Sequence, residues 1–496
     1  MMKASLLLGK QFPKDSIPDI EITTLTDHSE RTNAQSVFVC IRGQRFDGHA
    51  LAPRAYERGC RIFVAEEPLD IPTDACVLFI KNSRKTLSEL ACTLFDDPSK
   101  KMHVIGITGT KGKTTTATML AHILNSAGIA AGYIGTNGIR YGSVECATQN
   151  TTPDPLTLQK TLFDMHRCGM RAVVMEVSSQ GLMQDRVAGV QFETVLFTNL
   201  YLDHVGVAEH PTFEDYREAK HTLFTNFAPQ NAIWNTDDPA TPLMRKGCTA
   251  PHSLTVSAKG ACADYVAEGI TPLRDADGLF SCFRLLTQGK MTECRLRLLG
   301  EHNVYNTLLA LSVAHGVFQI PLLQAMASLE ELSIRGRAEC IPLPCGALCV
   351  IDYAHNGESL RHLLTSLRAY RPARLICLFG SVGERTQLRR RELGEVACEL
   401  ADLSVLTSDN PGTEDPMQII DEIAASFAGN EKAYIKIPDR GEAIRYTISL
   451  LKKDDILVLA GKGHEEYQLI GREKLPFSER GIIEDVLKSS PVLQHQ

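Results

Sequence analysis

Short apolar runs alternate along the chain with longer stretches of helical periodicity. Runs such as Val37–Ile41, Ile62–Ala65 and Leu375–Phe379 have four or five apolar residues in succession and are followed by polar turns. A continuous apolar run of this length predicts a strand that is buried on both faces. Because such strands alternate with helical segments, we predict an α/β protein with mostly parallel sheets.

Two breaks in this alternation divide the chain into three parts. Asp97–Lys100 has the turn chemistry of a linker, and Ser333–Glu339 interrupts the pattern again. The length of 496 residues also corresponds to about three domains. We predict an N-terminal domain over residues 1–100, a central domain with a doubly wound sheet over 101–332 and a Rossmann-like C-terminal domain over 333–496.

The turn after one apolar run carries the strongest chemical signal. His103–Thr108 predicts a strand, Gly109–Thr114 reads Gly-Thr-Lys-Gly-Lys-Thr, and helical periodicity follows from about Thr115. Glycines let backbone N–H groups approach phosphate oxygens, and a helix N-terminus adds partial positive charge. Lys113 is expected to reach the β- and γ-phosphates, and the Thr114 hydroxyl is expected to bind Mg²⁺. The sequence therefore predicts a phosphate loop for a nucleotide.

Two further predicted strands end in side chains that suit a metal–nucleotide site. Glu176 ends one apolar run, and His204 follows another. In open α/β sheets ligands bind beyond the carboxyl ends of the strands, so these residues and Thr114 are expected to face one crevice. Lys220 lies on a predicted helix that comes later in the chain, where a lone lysine is most often a solvated charge.

Composition narrows the class of protein. The formal net charge of −7 does not favour a nucleic-acid partner, and no apolar run reaches the length of a transmembrane helix. The 15 cysteines lack the spacing of a disulfide framework or a zinc site, which is typical of free thiols in a reducing cytoplasm. We expect a cytoplasmic protein that acts as a monomer on small molecules, without membrane insertion.

A series of short motifs runs in order along nearly the whole chain. It includes the phosphate loop, Asn-Thr-Thr-Pro at 150–153, Met-Glu-Val-Ser-Ser at 175–179, Tyr-x-x-Ala-Lys at 216–220, Asp-Tyr-Ala-His at 352–355, Asp-Asn-Pro at 409–411 and Gly-Lys-Gly-His-Glu at 461–465. In this series the chain resembles the Mur ligase family, and most closely the branch that adds the third amino acid to the cell-wall peptide precursor.

The resemblance implies an ATP-dependent amide ligase of peptidoglycan precursor synthesis that uses Mg²⁺. Such an enzyme phosphorylates the D-Glu side-chain carboxylate of UDP-N-acetylmuramoyl-L-Ala-D-Glu, here called the UDP-muramoyl-dipeptide. The amine of a diamino acid then attacks the acyl phosphate. The catalytic residues implied are Lys113, Glu176, His204 and Lys220. The metal ligands implied are Thr114, Glu176, His204 and Lys220, the last as a carbamylated lysine.

The resemblance also assigns binding residues. Those implied to hold ATP are Gly109, Thr110, Gly112, Lys113, Thr114, Thr115, Asn303, Asn306, Arg337 and Asp352. Those implied to hold the UDP-muramoyl-dipeptide are Ser29, Asn150, Thr151, Thr152, Ser178 and Arg186. Those implied to hold the incoming amino acid are Arg385, Asp409, Asn410, Gly461 and Glu465.

The chain departs from the family pattern at one position that bears on the substrate. Gly412 follows Asp-Asn-Pro where the diaminopimelate-adding branch usually has an arginine that binds the distal carboxylate. We therefore favour L-lysine, or another diamino acid without a distal carboxylate, over meso-diaminopimelate. Two alternatives remain: a related ligase with another acceptor, such as folate polyglutamate or the next cell-wall precursor, and a nucleotide-binding regulator without turnover.

Overall fold

The structure, a computed structural model, describes residues 2–43, 46–202, 210–260, 262–275, 278–330, 332, 334–384, 387–430 and 433–489. These residues form two compact units. The first unit comprises the chain up to Val266 together with Tyr305–Ala325, and the second unit comprises Ala267–Val304 and the chain from Met326 onward. Both units contain parallel sheets with helices packed against them, so the predicted α/β class is confirmed.

The first hundred residues of the first unit fold around a small sheet of their own. Their strands are β1 Met2–Lys3, β2 Glu21–Ile22, β3 Thr24–Thr26, β4 Ser36–Val39, β5 Ile62–Ala65 and β6 Cys76–Phe79, and their helices are α1 Ala4–Leu8, α2 Ala52–Glu57 and α3 Ser83–Leu94. The strands β3 to β6 pair in sequence order and are all parallel. Both β4 and β5 are buried along their whole length, as a continuous apolar run predicts.

A larger sheet organises the rest of the first unit. Its strands are β7 His103–Thr108, β8 Ala131–Gly135, β9 Gly138–Tyr141, β10 Val144–Cys146, β11 Ala172–Glu176, β12 Thr194–Phe197, β13 Asn231–Asn235, β14 His252–Ser257 and the first residues of β15 Tyr265–Asp275. The helices of this part are α4 Lys113–Ser126, α5 Pro155–Arg167, α6 Ser179–Met183, α7 Phe213–Thr225 and α8 Thr241–Arg245. The strand order is β10-β9-β8-β11-β7-β12-β13-β14-β15, and the strands from β8 to β15 in this order are parallel. Because β11 and β12 flank β7, the residues that follow these three strands meet at one edge.

The second unit contains a doubly wound sheet. Its strands, besides the remainder of β15, are β16 Gly278–Thr287, β17 Lys290–Leu296, β18 Glu339–Pro342, β19 Leu348–Asp352, β20 Leu375–Phe379, β21 Leu403–Leu406, β22 Ala433–Lys436, β23 Ile456–Ala460, β24 Tyr467–Ile470 and β25 Glu473–Pro476. The helices are α9 Glu301–Gly316 and α10 Leu322–Glu330, which both span a boundary between the units, and α11 Gly357–Arg368, α12 Gln387–Leu400, α13 Pro416–Ala424, α14 Arg440–Ser449 and α15 Glu479–Ser489. The main sheet has the order β18-β19-β23-β20-β21-β22, in which only β18 is antiparallel.

Alternate residues of β19 enter two different apolar clusters. Leu348 and Val350 belong to one cluster, and Cys349 and Ile351 belong to the other. Since successive side chains of a strand point to opposite faces, both faces of this sheet are covered. This arrangement confirms the prediction of a Rossmann-like fold.

Most predicted elements lie where the pattern places them. The runs Ile62–Ala65 and Leu375–Phe379 are strands over their full length, whereas the strand predicted at Val37–Ile41 spans Ser36–Val39. The helix after the phosphate loop begins at Lys113 rather than at Thr115. The division into three domains at 100/101 and 332/333 stays a prediction. Within the described ranges, no helix has both the length and the apolar character needed to cross a membrane.

Candidate active site

The phosphate loop joins β7 to α4 and needs glycine at two positions. Gly109 and Gly112 have φ angles of 144° and 85°, which side chains rarely adopt. An ideal Cβ on Gly109 would collide with Oγ1 of Thr198, and one on Gly112 would collide with Oδ1 of Asn306. The loop therefore keeps its shape only without side chains at these points. Asn306, one of the residues implied to hold ATP, lies against it.

Two lysine ammonium groups converge on one carbonyl of this loop. Nζ of Lys113 donates to the carbonyl oxygens of Gly109 and Thr110 at 2.8 and 2.9 Å. Nζ of Lys220, on α7, donates to the same Gly109 oxygen at 2.9 Å and lies 4.4 Å from the ring centre of Tyr216. The expectation of a solvated charge at Lys220 is wrong, since this residue is only 1% exposed. Positive charge is thus concentrated where the phosphates of a nucleotide are expected.

Glu176, at the end of β11, is a fully buried carboxylate with four hydrogen bonds. Oε1 accepts from the Tyr133 hydroxyl at 2.7 Å and from the Thr136 backbone N–H at 3.0 Å. Oε2 accepts from the Thr114 hydroxyl at 2.9 Å and from the Thr136 hydroxyl at 3.2 Å. The pKa of Tyr133 is raised mainly by burial and to a smaller extent by the negative charge of Glu176. Its hydroxyl therefore stays protonated and donates. Thr114 and Glu176 together offer oxygen donors of the kind that Mg²⁺ prefers.

The remaining loop residues implied to hold ATP are also buried. The Thr110 hydroxyl oxygen accepts from the Tyr216 hydroxyl at 3.1 Å and from the Tyr201 N–H at 3.0 Å. Thr115 lies in the first turn of α4 and is 8% exposed. Thr110 therefore connects the phosphate loop with the helix that carries Lys220.

Several residues implied to hold the UDP-muramoyl-dipeptide form one group beside Glu176. The Thr152 hydroxyl donates to the Glu176 carbonyl at 3.0 Å and accepts from the Ser178 N–H at 2.9 Å. Arg186 donates to the Thr152 carbonyl at 2.8 Å, and the hydroxyls of Thr151 and Thr136 lie 3.0 Å apart. This group therefore lies next to Glu176, whose carboxylate is one of the oxygen donors that suit Mg²⁺.

Two other residues with the same implied role do not take part in the described hydrogen bonds of this group, although Asn150 directly precedes Thr151 in the sequence. Asn150 is exposed, and Ser29 is buried within the first hundred residues, where its carbonyl accepts from the Thr32 hydroxyl at 2.7 Å. Within the described ranges, neither residue shares a hydrogen bond with Thr151 or Thr152. Their implied roles stay predictions.

Two implied site residues lie outside the described residues. His204 falls in the range 203–209 and Arg385 in the range 385–386. Their roles at the metal and at the incoming amino acid therefore stay predictions.

In the second unit, four of the five residues implied to hold the incoming amino acid meet around a buried lysine. Nζ of Lys462 lies 3.0 Å from Oδ1 of Asn410, 3.1 Å from Oε2 of Glu465 and 3.7 Å from Oδ1 of Asp409. Nδ2 of Asn410 donates to Oε2 of Glu465 at 2.9 Å. An ideal Cβ on Gly461 would collide with the Asp409 carboxylate, so only glycine fits there. We call Asp409, Asn410, Lys462 and Glu465 the amino-acid cluster.

The amino-acid cluster carries two carboxylates and one ammonium group, which leaves a formal excess of one negative charge. Lys462 itself is 0% exposed. No role was predicted for Lys462 from the sequence, although it lies inside the Gly-Lys-Gly-His-Glu motif, which was the signal that could have pointed to it. A cluster with this charge suits a cationic amino group.

Gly412 lies beside a further carboxylate of this unit, that of Glu384. It has a φ angle of 60°, and an ideal Cβ there would lie 3.2 Å from Oε1 of Glu384. The same Oε1 accepts from the Thr413 hydroxyl at 2.7 Å. Two hydrogen bonds from Thr413 lower the pKa of Glu384, and the bond from the side chain has a larger effect than the bond from the backbone. Position 412 therefore faces a negative charge.

Three further residues implied to hold ATP lie in the second unit. The Asp352 carboxylate accepts from the backbone N–H groups of Ala338 and Ala354 at 2.7 and 2.8 Å. Burial raises the pKa of Asp352, and the nearby charge of Arg337 opposes this shift. The Arg337 guanidinium lies 5.3 Å from the ring centre of Tyr353. Asn303, in the first turn of α9, donates to the Leu299 carbonyl at 2.9 Å.

Comparison with known proteins identifies the family. Residues 107–314 match the Mur ligase middle domain, and residues 336–463 match the domain described as Mur ligase, glutamate ligase domain. The chain is 35% identical over 477 residues to a UDP-N-acetylmuramoyl-L-alanyl-D-glutamate–2,6-diaminopimelate ligase of Geobacillus kaustophilus (strain HTA426), which covers 94% of this chain and 95% of the relative. The chain belongs to the Mur ligase family.

Solved structures of Mur ligases have the same fold. A UDP-N-acetylmuramoyl-L-alanyl-D-glutamate–2,6-diaminopimelate ligase matches with a TM-score of 0.73 and 29% identity over 96% of each chain. The MurF ligase of Thermotoga maritima in complex with ADP matches with a TM-score of 0.59 and 18% identity, over 89% of this chain and 94% of that one. As a Mur ligase, the protein is an ATP-dependent amide ligase.

Proposed function

We propose that this Mur ligase adds a diamino acid to the D-Glu residue of UDP-N-acetylmuramoyl-L-Ala-D-Glu through an acyl phosphate. The convergence of Lys113 and Lys220 on the Gly109 carbonyl, in the same unit as the buried Glu176, is the observation that carries the proposal. Transfer of a phosphoryl group needs positive charge and fixed oxygen donors, because the protein acts mainly by positioning and electrostatics. Lys113 and a bound Mg²⁺ would supply the positive charge, and Thr114, Glu176 and a carbamylated Lys220 would supply the oxygen donors. The name of the Geobacillus relative supports the acceptor.

In the first proposed step, the γ-phosphoryl group of ATP passes to the D-Glu side-chain carboxylate, and ADP leaves. The phosphate loop and Asn306 hold the nucleotide, and Lys113 exchanges its contacts with loop carbonyls for phosphate oxygens. The Thr114 hydroxyl and the Glu176 carboxylate fit Mg²⁺, which neutralises phosphate charge when bound. Thr151, Thr152, Ser178 and Arg186 hold the acceptor beside Glu176.

Carbamylation of Lys220 is part of this proposal. The ammonium group first loses one proton, and joining the amine nitrogen to CO₂ then releases a second proton, so a cation becomes an anion with two oxygen donors. The N–H that remains on the nitrogen can still donate to the Gly109 carbonyl, which Nζ contacts at 2.9 Å. After incubation with ¹³C-bicarbonate, we expect a carbamate carbon signal that the Lys220→Ala variant lacks. An identical spectrum for both proteins would contradict the modification.

In the second proposed step, the amine of the diamino acid attacks the carbonyl carbon of the acyl phosphate, and phosphate leaves. The negative excess of the amino-acid cluster supports binding of a cationic substrate. Asp409 and Glu465 supply the negative charge, whereas Lys462 and Asn410 hold these carboxylates in place.

Two observations disagree on the choice of amino acid. Gly412 offers no guanidinium, and the Glu384 carboxylate beside it attracts a distal ammonium group and repels a distal carboxylate. These features favour L-lysine. The name of the Geobacillus relative favours meso-diaminopimelate. We propose L-lysine, with meso-diaminopimelate as the second candidate, and competition between L-lysine, L-ornithine and meso-diaminopimelate distinguishes them.

A variant pair tests the role of position 412. Arginine at a φ of 60° costs about 1–2 kcal/mol, and its guanidinium would pair with Glu384 rather than with a substrate. The informative comparison is therefore Glu384→Gln against the double variant Gly412→Arg/Glu384→Gln. We expect the double variant to use meso-diaminopimelate better relative to lysine. An unchanged preference would show that other residues choose the amino acid.

The proposed function itself is tested by the dependence of ADP release on substrates. We expect repeated turnover to ADP only when ATP, the UDP-muramoyl-dipeptide and a diamino acid are all present, because the first step alone stops at the acyl phosphate, and the controls omit one component each. ADP release with a folate acceptor and glutamate would instead favour the folate alternative. ATP binding without ADP release in the complete mixture would favour a regulator without turnover.

A further inference from the structure

Arg440 is a fully buried guanidinium at the start of α14. Its Nη1 donates to the carbonyl oxygen of Ser408 at 3.2 Å, and its Nη2 donates to the carbonyl oxygen of Ala460 at 2.8 Å. Nε donates to Oε1 of Glu479 at 2.9 Å, and the two side chains are 0% and 1% exposed. A buried ion pair is weak evidence for added stability, because desolvation offsets much of the attraction. A buried guanidinium also needs acceptors for its remaining N–H groups, and here these acceptors are the two carbonyl oxygens.

The two carbonyls belong to residues that directly precede the amino-acid cluster. Ser408 precedes Asp409 and Asn410, and Ala460 precedes Gly461 and Lys462. These segments follow β21 and β23, and β20 lies between the two strands in the sheet. The hydrogen bonds of neighbouring strands therefore do not join the two loops directly. The rigid fork of Arg440 does join them.

We infer that Arg440 is a positioning residue for the incoming amino acid, an inference that rests on the proposed function. It keeps the loop after β21 and the loop after β23 at a fixed separation. The contacts from Lys462 and Glu465 to Asn410 depend on that separation, since they run from one loop to the other at 3.0 and 2.9 Å. A shift of a few tenths of an ångström between the loops weakens them.

Gln468 lies on β24, the strand that follows the loop after β23, and it also contacts the loop after β21. Its Nε2 donates to the Ser408 hydroxyl and to the Asp409 carbonyl, both at 2.8 Å. These contacts connect the loop after β21 to β24, beyond the amino-acid cluster. Arg440 instead reaches the last residue of β23 and the residue before Asp409, so it sets the spacing at the point where the two loops begin.

The same sheet offers a matched control at its opposite end. Arg374 directly precedes β20, and Asp455 directly precedes β23. Nε of Arg374 donates to Oδ1 of Asp455 at 3.1 Å, and its Nη2 donates to the Leu450 carbonyl at 2.9 Å. Asp455 is 1% exposed. The Arg374→Lys variant therefore disturbs an arginine–carboxylate pair at the other end of the same sheet, beside β20 and β23 and away from the amino-acid cluster, although Arg374 is 36% exposed and Arg440 is 0% exposed.

The test compares Arg440→Lys, Glu479→Gln and Arg374→Lys by steady-state kinetics and thermal unfolding. A lysine keeps the charge beside Glu479 but, with a single nitrogen, does not reproduce the fork that reaches both carbonyls. For Arg440→Lys we expect the KM for the amino acid to rise about tenfold or more, with the KM values for ATP and the UDP-muramoyl-dipeptide within about twofold of wild type. Glu479→Gln should show a smaller rise. Arg374→Lys should leave all three KM values unchanged even where it lowers the unfolding temperature.

Hydrogen–deuterium exchange of the free proteins measures the loop spacing without catalysis. In Arg440→Lys we expect faster exchange in peptides covering 407–412 and 460–466 together, and in Arg374→Lys we expect wild-type exchange in both. An unchanged amino-acid KM in Arg440→Lys, an equal rise in Arg374→Lys, or unchanged exchange in these peptides would each overturn the inference. If the wild-type protein released no ADP with any diamino acid, the proposed function would fail, and the exchange measurement alone would still decide whether Arg440 holds the loops.

Discussion

Glu176→Gln separates the role of a carboxylate in the fold from its role in catalysis. The glutamine keeps an oxygen at the Oε1 position for Tyr133 and for the Thr136 N–H, and its amide nitrogen can donate to the two threonine hydroxyls at the Oε2 position. Each of the four hydrogen bonds weakens by about 1 kcal/mol when the acceptor loses its charge. A neutral amide has a smaller desolvation cost on burial than a carboxylate, and this difference offsets the loss by several kcal/mol. We therefore expect the free energy of unfolding to change by about 2 kcal/mol or less.

The effect on turnover should be much larger. An anionic ligand lost from a Mg²⁺ site removes about 4 kcal/mol of transition-state stabilisation, which is on the order of a thousandfold in kcat. The assay is ADP release at saturating substrates across a Mg²⁺ titration, combined with urea unfolding. The control is Tyr133→Phe, which removes one hydrogen bond from Glu176 and keeps its charge; its kcat should stay within about tenfold of wild type. A Glu176→Gln enzyme with wild-type kcat and Mg²⁺ dependence would refute the assignment.

Three further outcomes follow from the first unit. Lys220→Ala should abolish ADP release and regain part of it with formate or acetate, and full activity without added carboxylate would exclude the carbamate. Gly109→Ala should weaken ATP binding by about a hundredfold, measured by calorimetry, because of its φ of 144° and the collision with Thr198; unchanged affinity would contradict the geometry of the loop. Burial lowers the pKa of His103 below its usual 6.5, although Glu193 opposes the shift. The unfolded chain therefore binds more protons below about pH 6.5, so the unfolding free energy should fall as the pH drops from 7 to 5, and His103→Gln should flatten this dependence in urea titrations.

Local sequence patterns were sufficient for most of the fold. An apolar run of four or five residues leaves few choices besides a buried strand, and so β5 and β20 lie where they were predicted. The phosphate loop could also be predicted from the sequence. Its positive φ angles at Gly109 and Gly112 depend on the residue type at each position, and glycine adopts such angles readily. The family motifs also pointed to part of the amino-acid cluster, since Asp409 belongs to the Asp-Asn-Pro motif and Glu465 belongs to the Gly-Lys-Gly-His-Glu motif.

The sequence by itself determined which segments become strands, which turns accept a phosphate and which family the chain resembles, since periodicity and glycine conformation are local properties. Only the tertiary structure decided what the charged side chains contact. Lys220 and Gly109 are 111 residues apart in sequence, and Arg440 lies 32 and 20 residues from the two carbonyls it holds. A lysine or arginine on a helix carries no local sign of burial, because its environment is set by strands that pack beside it from distant parts of the chain. For this reason the sequence pattern predicted a solvated Lys220 and assigned Lys462 and Arg440 no role.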